Sequence, residues 1–229
     1  MKRAAFVALC LALTALFVGL GIWQVERRAW KLDLIDKVEA RVHAAPSPLP
    51  APEQWNGDFA YRRVRVTGTF LHDRETLVQA LTALGGGWWV LTPLRTAAGT
   101  VLINRGYVPD DKRDPATRRA ALTAGEVTIT GLIRTTELGG GFLRNNDPTS
   151  DRWFSRDVAA IAAARQLGAV APFFVDADAT PNPGGYPVGG LTVIAFNNNH
   201  LGYALTWFSL AILSIAGAVM VVRSSRRAT

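Results

Sequence analysis

Residue types able to hold a metal or cofactor are scarce in this chain: three histidines and one cysteine among 229 residues. His200 is the best placed, because it heads an uncharged apolar run over residues 201–222. The dipole at a helix start disfavours imidazolium, and neutral imidazole is the form that binds a transition metal. Tyr203 and Trp207 follow at i+3 and i+7 on the same helical face, where flat rings suit a planar ligand. A second set leaves the other apolar run. Trp23, Arg27 and Trp30 are spaced i, i+4 and i+7, and Gln24, Arg28 and Lys31 repeat that spacing one residue on. Their cations suit an anionic ligand group. Both sets also fit the aromatic and basic belt of a membrane–water interface. The residues alone leave the two readings open.

Other candidates carry less. Cys10 is the only cysteine, so an intrachain disulfide, a thiolate cluster and a CxxCH haem attachment are all excluded, and any cofactor must be held non-covalently. Asn104-Arg105-Gly106 follows an apolar strand; Gly106 reads as a turn and Arg105 as a strand-end charge. Asp110, Asp111 and Asp114 alternate with Lys112 and Arg113, as in a solvated loop. His43 and His72 lack a partner at metal spacing and read as surface residues. There is no GxGxxG, GxxxxGK[ST] or HExxH, and no Ser, His and acid set resembling a hydrolase triad. The chain reads as a binding protein rather than an enzyme.

The elements that must position the first two sets are the apolar runs themselves. Residues 4–25 and 201–222 contain no charge, and as helices each reaches roughly 33 Å, enough to cross a hydrocarbon core of about 30 Å. The first reads as an uncleaved anchor, since VGLGIWQVERR offers no small-x-small cleavage site. Small residues Ala8, Ala12, Ala15 and Gly19 share one face of it, and Ser214 and Ala218 match them in the second; such faces pair two spans or dock another helix.

Charge follows the same division. The formal charge is +7, but five bases sit in the acid-free tails (Lys2, Arg3, Arg223, Arg226, Arg227), and the remaining 20 face 18 acids. The excess flanks the spans and orients them with both termini cytoplasmic. The middle domain is then periplasmic in a bacterial inner membrane, or in the intermembrane space at a mitochondrial inner membrane. A nucleic-acid partner loses its main support.

The expected organisation is a tail (1–3), a transmembrane helix (4–25), an amphipathic juxtamembrane helix (26–43), a Pro-rich extended linker (44–60), a β-rich domain (61–199), a second transmembrane helix (200–222) and a tail (223–229). Alternation of Val64 and Val66 with Arg63, Arg65 and Thr67 predicts a strand from Tyr61. Further strands are expected at 77–78, 88–94, 101–103, 127–133, 172–176 and 192–196. Gly85-Gly86-Gly87 and Ala98-Gly99 read as turns, residues 180–190 as a loop. One helix is expected over 155–166, capped by Ser155 or Asp157. The fold class is α+β: two terminal transmembrane helices flanking a mostly antiparallel β domain with one or two helices.

Several blocks together resemble the surfeit locus protein 1 family, called Shy proteins in yeast. Gly21-Ile22-Trp23-Gln24 with Arg27 and Lys31 is similar to the family signature leaving the first span. Tyr61-Arg62-Arg63-Val64, Gly68-Thr69-Phe70, residues 89–94 and 101–109, Asn198-Asn199-His200-Leu201, Tyr203-Ala204 and Thr206-Trp207-Phe208 follow in order. Asn197 stands where the family often has Arg, and Tyr107 where Trp is common. The resemblance implies a membrane-bound assembly factor of cytochrome c oxidase, a chaperone of respiratory-chain biogenesis. Its implied partners are the oxidase catalytic subunit, the haem a synthesis machinery and the bilayer. For bacterial members it implies non-covalent binding of haem a, with His200 as iron ligand, Arg27 or Lys31 on the propionates, and Trp23, Tyr203 and Trp207 alongside. A cofactor-free scaffold that stabilises a subunit intermediate is the alternative.

Overall fold

The computed structural model describes residues 2–141 and 143–226; Met1 and Arg227, counted in the tails above, lie outside them. The elements run α1 (Lys2–His43), β1 (Ser47–Pro48), β2 (Arg63–Phe70), β3 (Thr76–Thr82), β4 (Gly85–Thr96), β5 (Gly99–Val108), β6 (Glu126–Thr135), β7 (Gly140–Gly141), β8 (Arg144–Asn145), α2 (Val158–Ala164), β9 (Val170–Ala177) and α3 (His200–Arg226), with short 3-10 turns between. They form two units. One is helical and combines the two ends of the chain; the other is Val38–Val193.

In the helical unit, α1 and α3 are both long and apolar enough to cross a membrane. Their seam follows a heptad. On α1, Cys10, Gly21 and Gln24 are buried, with Thr14, Phe17, Arg28 and Lys31 half-buried between and after them. On α3, Ala204, Ala211 and Ala218 are buried, alternating with half-buried His200, Trp207 and Ser214. Alternating steps of four and three residues keep one stripe facing the partner helix. Phe17 stacks on Trp207 with ring centroids 5.8 Å apart. Gly21 lies under Phe208, whose ring a Cβ would meet at 2.5 Å. The small-residue face read on the first run falls elsewhere: Ala8, Ala12, Ala15 and Gly19 are exposed, whereas Ser214 and Ala218 lie on the seam. Large apolar residues point outward from both helices, among them Leu9, Leu16, Leu205, Ile212, Leu213 and Met220.

The second unit is built on one seven-stranded sheet in the order β1-β2-β6-β9-β5-β4-β3. Pairing of Thr69 with Arg95 and Phe70 with Leu94 joins β2 to β4 and closes β2, β6, β9, β5 and β4 into a barrel. This is a small five-stranded Greek-key barrel. Most pairings are antiparallel; β1–β2 and β5–β9 are parallel. β5 and β9 are buried on both faces, which explains their unbroken apolar runs. Val101, Ile103, Phe173 and Val175 enter one core, with Val64, Val66 and Leu94. Leu102 and Phe174 enter a second core, with Leu91, Trp153 and Ile161 of α2. Burial of such side chains contributes roughly 1.5–3 kcal/mol each.

Several expectations are corrected. Residues 192–196 form no strand, because the apolar pattern there pairs with no free edge of the sheet. The β3–β4 turn is Ala83-Leu84, since Thr82 pairs with Gly85; Gly86 and Gly87 belong to β4. Gly87 is small for a packing reason, as a Cβ there would meet the Val108 carbonyl at 2.4 Å and the Tyr107 ring at 2.6 Å. The helix is shorter than 155–166 and starts from Asp157, whose Oδ1 accepts from Ala160 N at 3.1 Å. The Pro-rich stretch is more than a linker: Leu49, Trp55 and Phe59 pack on the first core.

Candidate functional site

His200 opens α3 at the end of the seam, and its side chain is half-buried. Its Nδ1 lies 2.7 Å from Oε1 of Gln24 on α1, a residue only 8% exposed. A carboxamide oxygen only accepts, so Nδ1 carries the hydrogen and donates it. With that hydrogen on Nδ1, Nε2 is the nitrogen that carries the lone pair whenever the ring is neutral, and no hydrogen bond to Nε2 is found among the described residues. Such a bond to the second nitrogen is how proteins fix the tautomer and orientation of a ligating imidazole. Gln24 sits there because it is one seam step after Gly21, where close helix approach brings the two backbones together.

The structure separates the other predicted residues into two faces of α1. Lys31 lies on the seam side with Gln24, half-buried, its Nζ 5.7 Å from the centroid of the Phe196 ring. Trp23, Arg27 and Trp30 are exposed on another face, where the Arg27 guanidinium lies 4.0 Å over Trp30. Tyr203 is exposed and Trp207 half-buried in its stack with Phe17. His200, Lys31 and Trp207 thus share the seam, while Arg27, Trp23 and Tyr203 face outward. The Gln24 bond is absent from any reading of His200 on its own. Its signal was the heptad linking Cys10, Phe17, Gln24 and Lys31.

The β unit contains a second polar centre that its sequence did not announce. Asp176, 4% exposed, accepts from Asn104 Nδ2 (2.8 Å), Arg134 Nη1 (3.0 Å), Arg156 Nη1 (3.1 Å) and Thr192 Oγ1 (2.9 Å). These groups line a cavity of about 470 Å³ together with Trp89 and Leu191. Arg156 also binds Glu137, and burial resists but the guanidinium outweighs it, holding the Glu137 carboxyl below its ordinary range. Two arginines thus meet two carboxylates, and every Asp176 oxygen is engaged. The arrangement braces β5, β6 and β9 across the barrel.

Arg105 and His72 depart from expectation. Arg105 is 2% exposed, not a strand-end charge. Its Nη2 donates to the Ala121 carbonyl at 2.6 Å and to Asn182 Oδ1 at 3.2 Å, and its guanidinium lies 4.8 Å from the Phe70 centroid. Burial brings its pKa down to about 10. Gly106 is not a turn; it allows close approach of Val188, whose carbonyl oxygen a Cβ would meet at 2.1 Å. His72 is partly buried, with Nε2 3.1 Å from the Thr123 carbonyl, and burial lowers its pKa. Asp110 accepts from Trp88 Nε1 at 2.8 Å, and Asp114 caps a 3-10 turn. His43 is exposed beside Glu39.

A family model described as the SURF1 family matches residues 11–212. "Surfeit locus protein 1" of Homo sapiens is 38% identical over 224 residues, covering 90% of this chain and 73% of the human protein. The mouse protein of the same name is 37% identical over 217 residues, covering 87% and 70%. A "SURF1-like protein" of Monosiga brevicollis is 37% identical over 220 residues, covering 90% and 83%. The match takes in the Gln24 region, the barrel and His200 alike, and the chain belongs to the SURF1 family.

Proposed function

We propose that this protein is a membrane-anchored assembly factor of cytochrome c oxidase that binds haem a and aids its insertion into the catalytic subunit. Family membership supports the general role. The observation that carries haem binding is the 2.7 Å bond from His200 Nδ1 to Gln24 Oε1, which leaves Nε2 as the ligating atom. The residues present suit the cargo. When bound, haem a would supply an iron and two propionates. His200 offers one neutral nitrogen, Gln24 holds the ring, and Lys31 supplies a cation on the seam side. Trp207 gives an apolar flank, and Tyr203 adds an aromatic at the rim. Arg27, Trp23 and Trp30 face outward, toward lipid headgroups or the oxidase subunit. No bond-making group is required of the chain, because the task is binding and transfer.

Packing of the helical unit supports the membrane reading. Alanines occupy its seam and leucines its outside, which is the arrangement a hydrocarbon solvent favours. In that reading both termini are cytoplasmic and the β domain lies on the periplasmic side, or in the intermembrane space.

The test is purification of the full protein from cells that make haem a, followed by its absorption spectrum. Wild type carries haem; His200→Ala loses it; Gln24→Ala weakens binding by about 10-fold or more. Unchanged haem content in His200→Ala overturns the ligand assignment. A haem-free His200→Ala protein that still supports oxidase assembly would establish the cofactor-free scaffold instead.

A further inference from the structure

The β unit is well covered except in one region. Among its described residues, the exposed large apolar side chains are Leu81, Leu84, Leu138, Leu143 and Val193. Leu81 and Leu143 are 88% and 89% exposed, and Val193 is 79% exposed. They are not scattered. Leu81 and Ala83 share the wall of one cavity with Leu191 and Val193. On its other side, Leu81 borders a second cavity with Gly141 and Arg144 of the β7–β8 hairpin. Arg144 Nη1 donates to Gln79 Oε1 at 2.8 Å and ties that hairpin to β3. The β3–β4 tip therefore adjoins Val193 on one side and, on the other, the hairpin that carries Leu143.

We infer that this region, led by the β3–β4 tip, dips into the interfacial layer of the bilayer. The inference rests on the membrane reading above. Five observations select lipid as the occupant. Residues 80–87 carry no charge. Leu84 lies in the two-residue turn itself and is 54% exposed, beside the 88% exposed Leu81, which suits a soft, flat surface. The turn satisfies its own polar groups: Thr82 Oγ1 donates to the Gly85 carbonyl at 3.2 Å and accepts from Leu84 N at 3.0 Å. A backbone that enters an apolar medium must be satisfied in this way. Finally, Val193 stands seven residues before His200, the first residue of α3, so at most about 25 Å of chain separates it from the span. Trp88 follows the tip directly and engages Asp110 and Arg113, the adjacent charges, as an interfacial tryptophan between apolar and wet layers does.

Single-cysteine proteins test this, because Cys10 is the only native cysteine. In a Cys10→Ser background, Leu84→Cys, Ala124→Cys and Leu213→Cys are each labelled with a polarity-sensitive fluorophore. Ala124 precedes β6 at the end of the barrel that carries Arg95, away from the tip; Leu213 is exposed on α3. The full chains are placed in phosphatidylcholine vesicles with and without nitroxide-labelled phosphatidylcholine. The expected result is strong quenching at 213, about twofold or greater quenching at 84, and none at 124. Quenching at 213 with none at 84 overturns this inference alone. No quenching at 213 overturns the membrane reading and this inference with it. A change at 84 that tracks protein concentration in detergent assigns the tip to a second copy and also overturns it. Leu81→Cys repeats the measurement if Leu84→Cys does not fold.

Discussion

The two polar centres of this molecule are built on opposite terms. In the barrel, Asp176 is saturated by four donors from two strands and two loops. In the helical unit, the side-chain bond to Gln24 is the one found for His200 among the described residues, and Nε2 has none. Apolar packing is reversed as well. The barrel buries Leu91, Leu94, Leu102 and Phe174 completely, whereas the helices bury alanine and turn Leu213 and Met220 outward. A saturated centre in a dense core stabilises a fold. A half-engaged centre on a thin seam suits the ligand proposed above, in a unit whose outward leucines suit the proposed bilayer.

The largest contrast comes from removing a leucine from each region. Leu91→Ala should cost roughly 3–5 kcal/mol, because its site is fully enclosed between Trp153 and Phe174. Leu213→Ala, facing outward, should change stability by less than about 0.5 kcal/mol in a bilayer. Thermal unfolding of the reconstituted protein measures both, and equal losses would end the proposed difference in solvent.

A smaller effect tests the seam. Gly21→Ala places a methyl against Phe208, and overpacking of this kind costs roughly 1–3 kcal/mol. Energy transfer between labels on α1 and α3 should fall, and the His200–Gln24 bond should weaken with it. Gly19→Ala meets nothing within 4 Å and should leave pairing unchanged. Equal behaviour of the two glycine variants would argue against the heptad seam.

The smallest effect belongs to the barrel and concerns pH. Burial lowers the pKa of His72 below its ordinary 6.5. Below that value the unfolded chain takes up a proton that the folded one resists, so stability declines as pH falls through 6.5 toward the folded pKa. Denaturant unfolding at pH 7 and 5.5 should show this slope, and His72→Phe should flatten it. A slope of the same size in the variant would place the titrating group elsewhere.

Local pattern carried much of this protein into view. Alternation revealed β2, unbroken apolar runs revealed β5 and β9, and the uncharged stretches revealed α1 and α3. It failed where a residue's role depends on a distant neighbour. Gly87 looks like a turn residue until the Tyr107 ring is placed against it. Arg105 looks like a surface charge until Ala121 and Asn182 enclose it. Residues 192–196 have a strand's composition, yet they join no strand, and Thr192 is held instead by its side-chain bond to Asp176.

The sequence by itself determined two spanning-length helices, the β-rich domain between them, and the His200 and Trp23–Lys31 segments as places of interest. Each follows from periodicity or charge within a few residues. Only the tertiary structure decided that Gln24, 176 residues away, holds His200, that Lys31 shares the seam while Arg27 faces out, and that Asp176 is saturated. Those facts depend on which helix faces and strands meet: a heptad marks the seam face of each helix, but it does not say which residue lies across it.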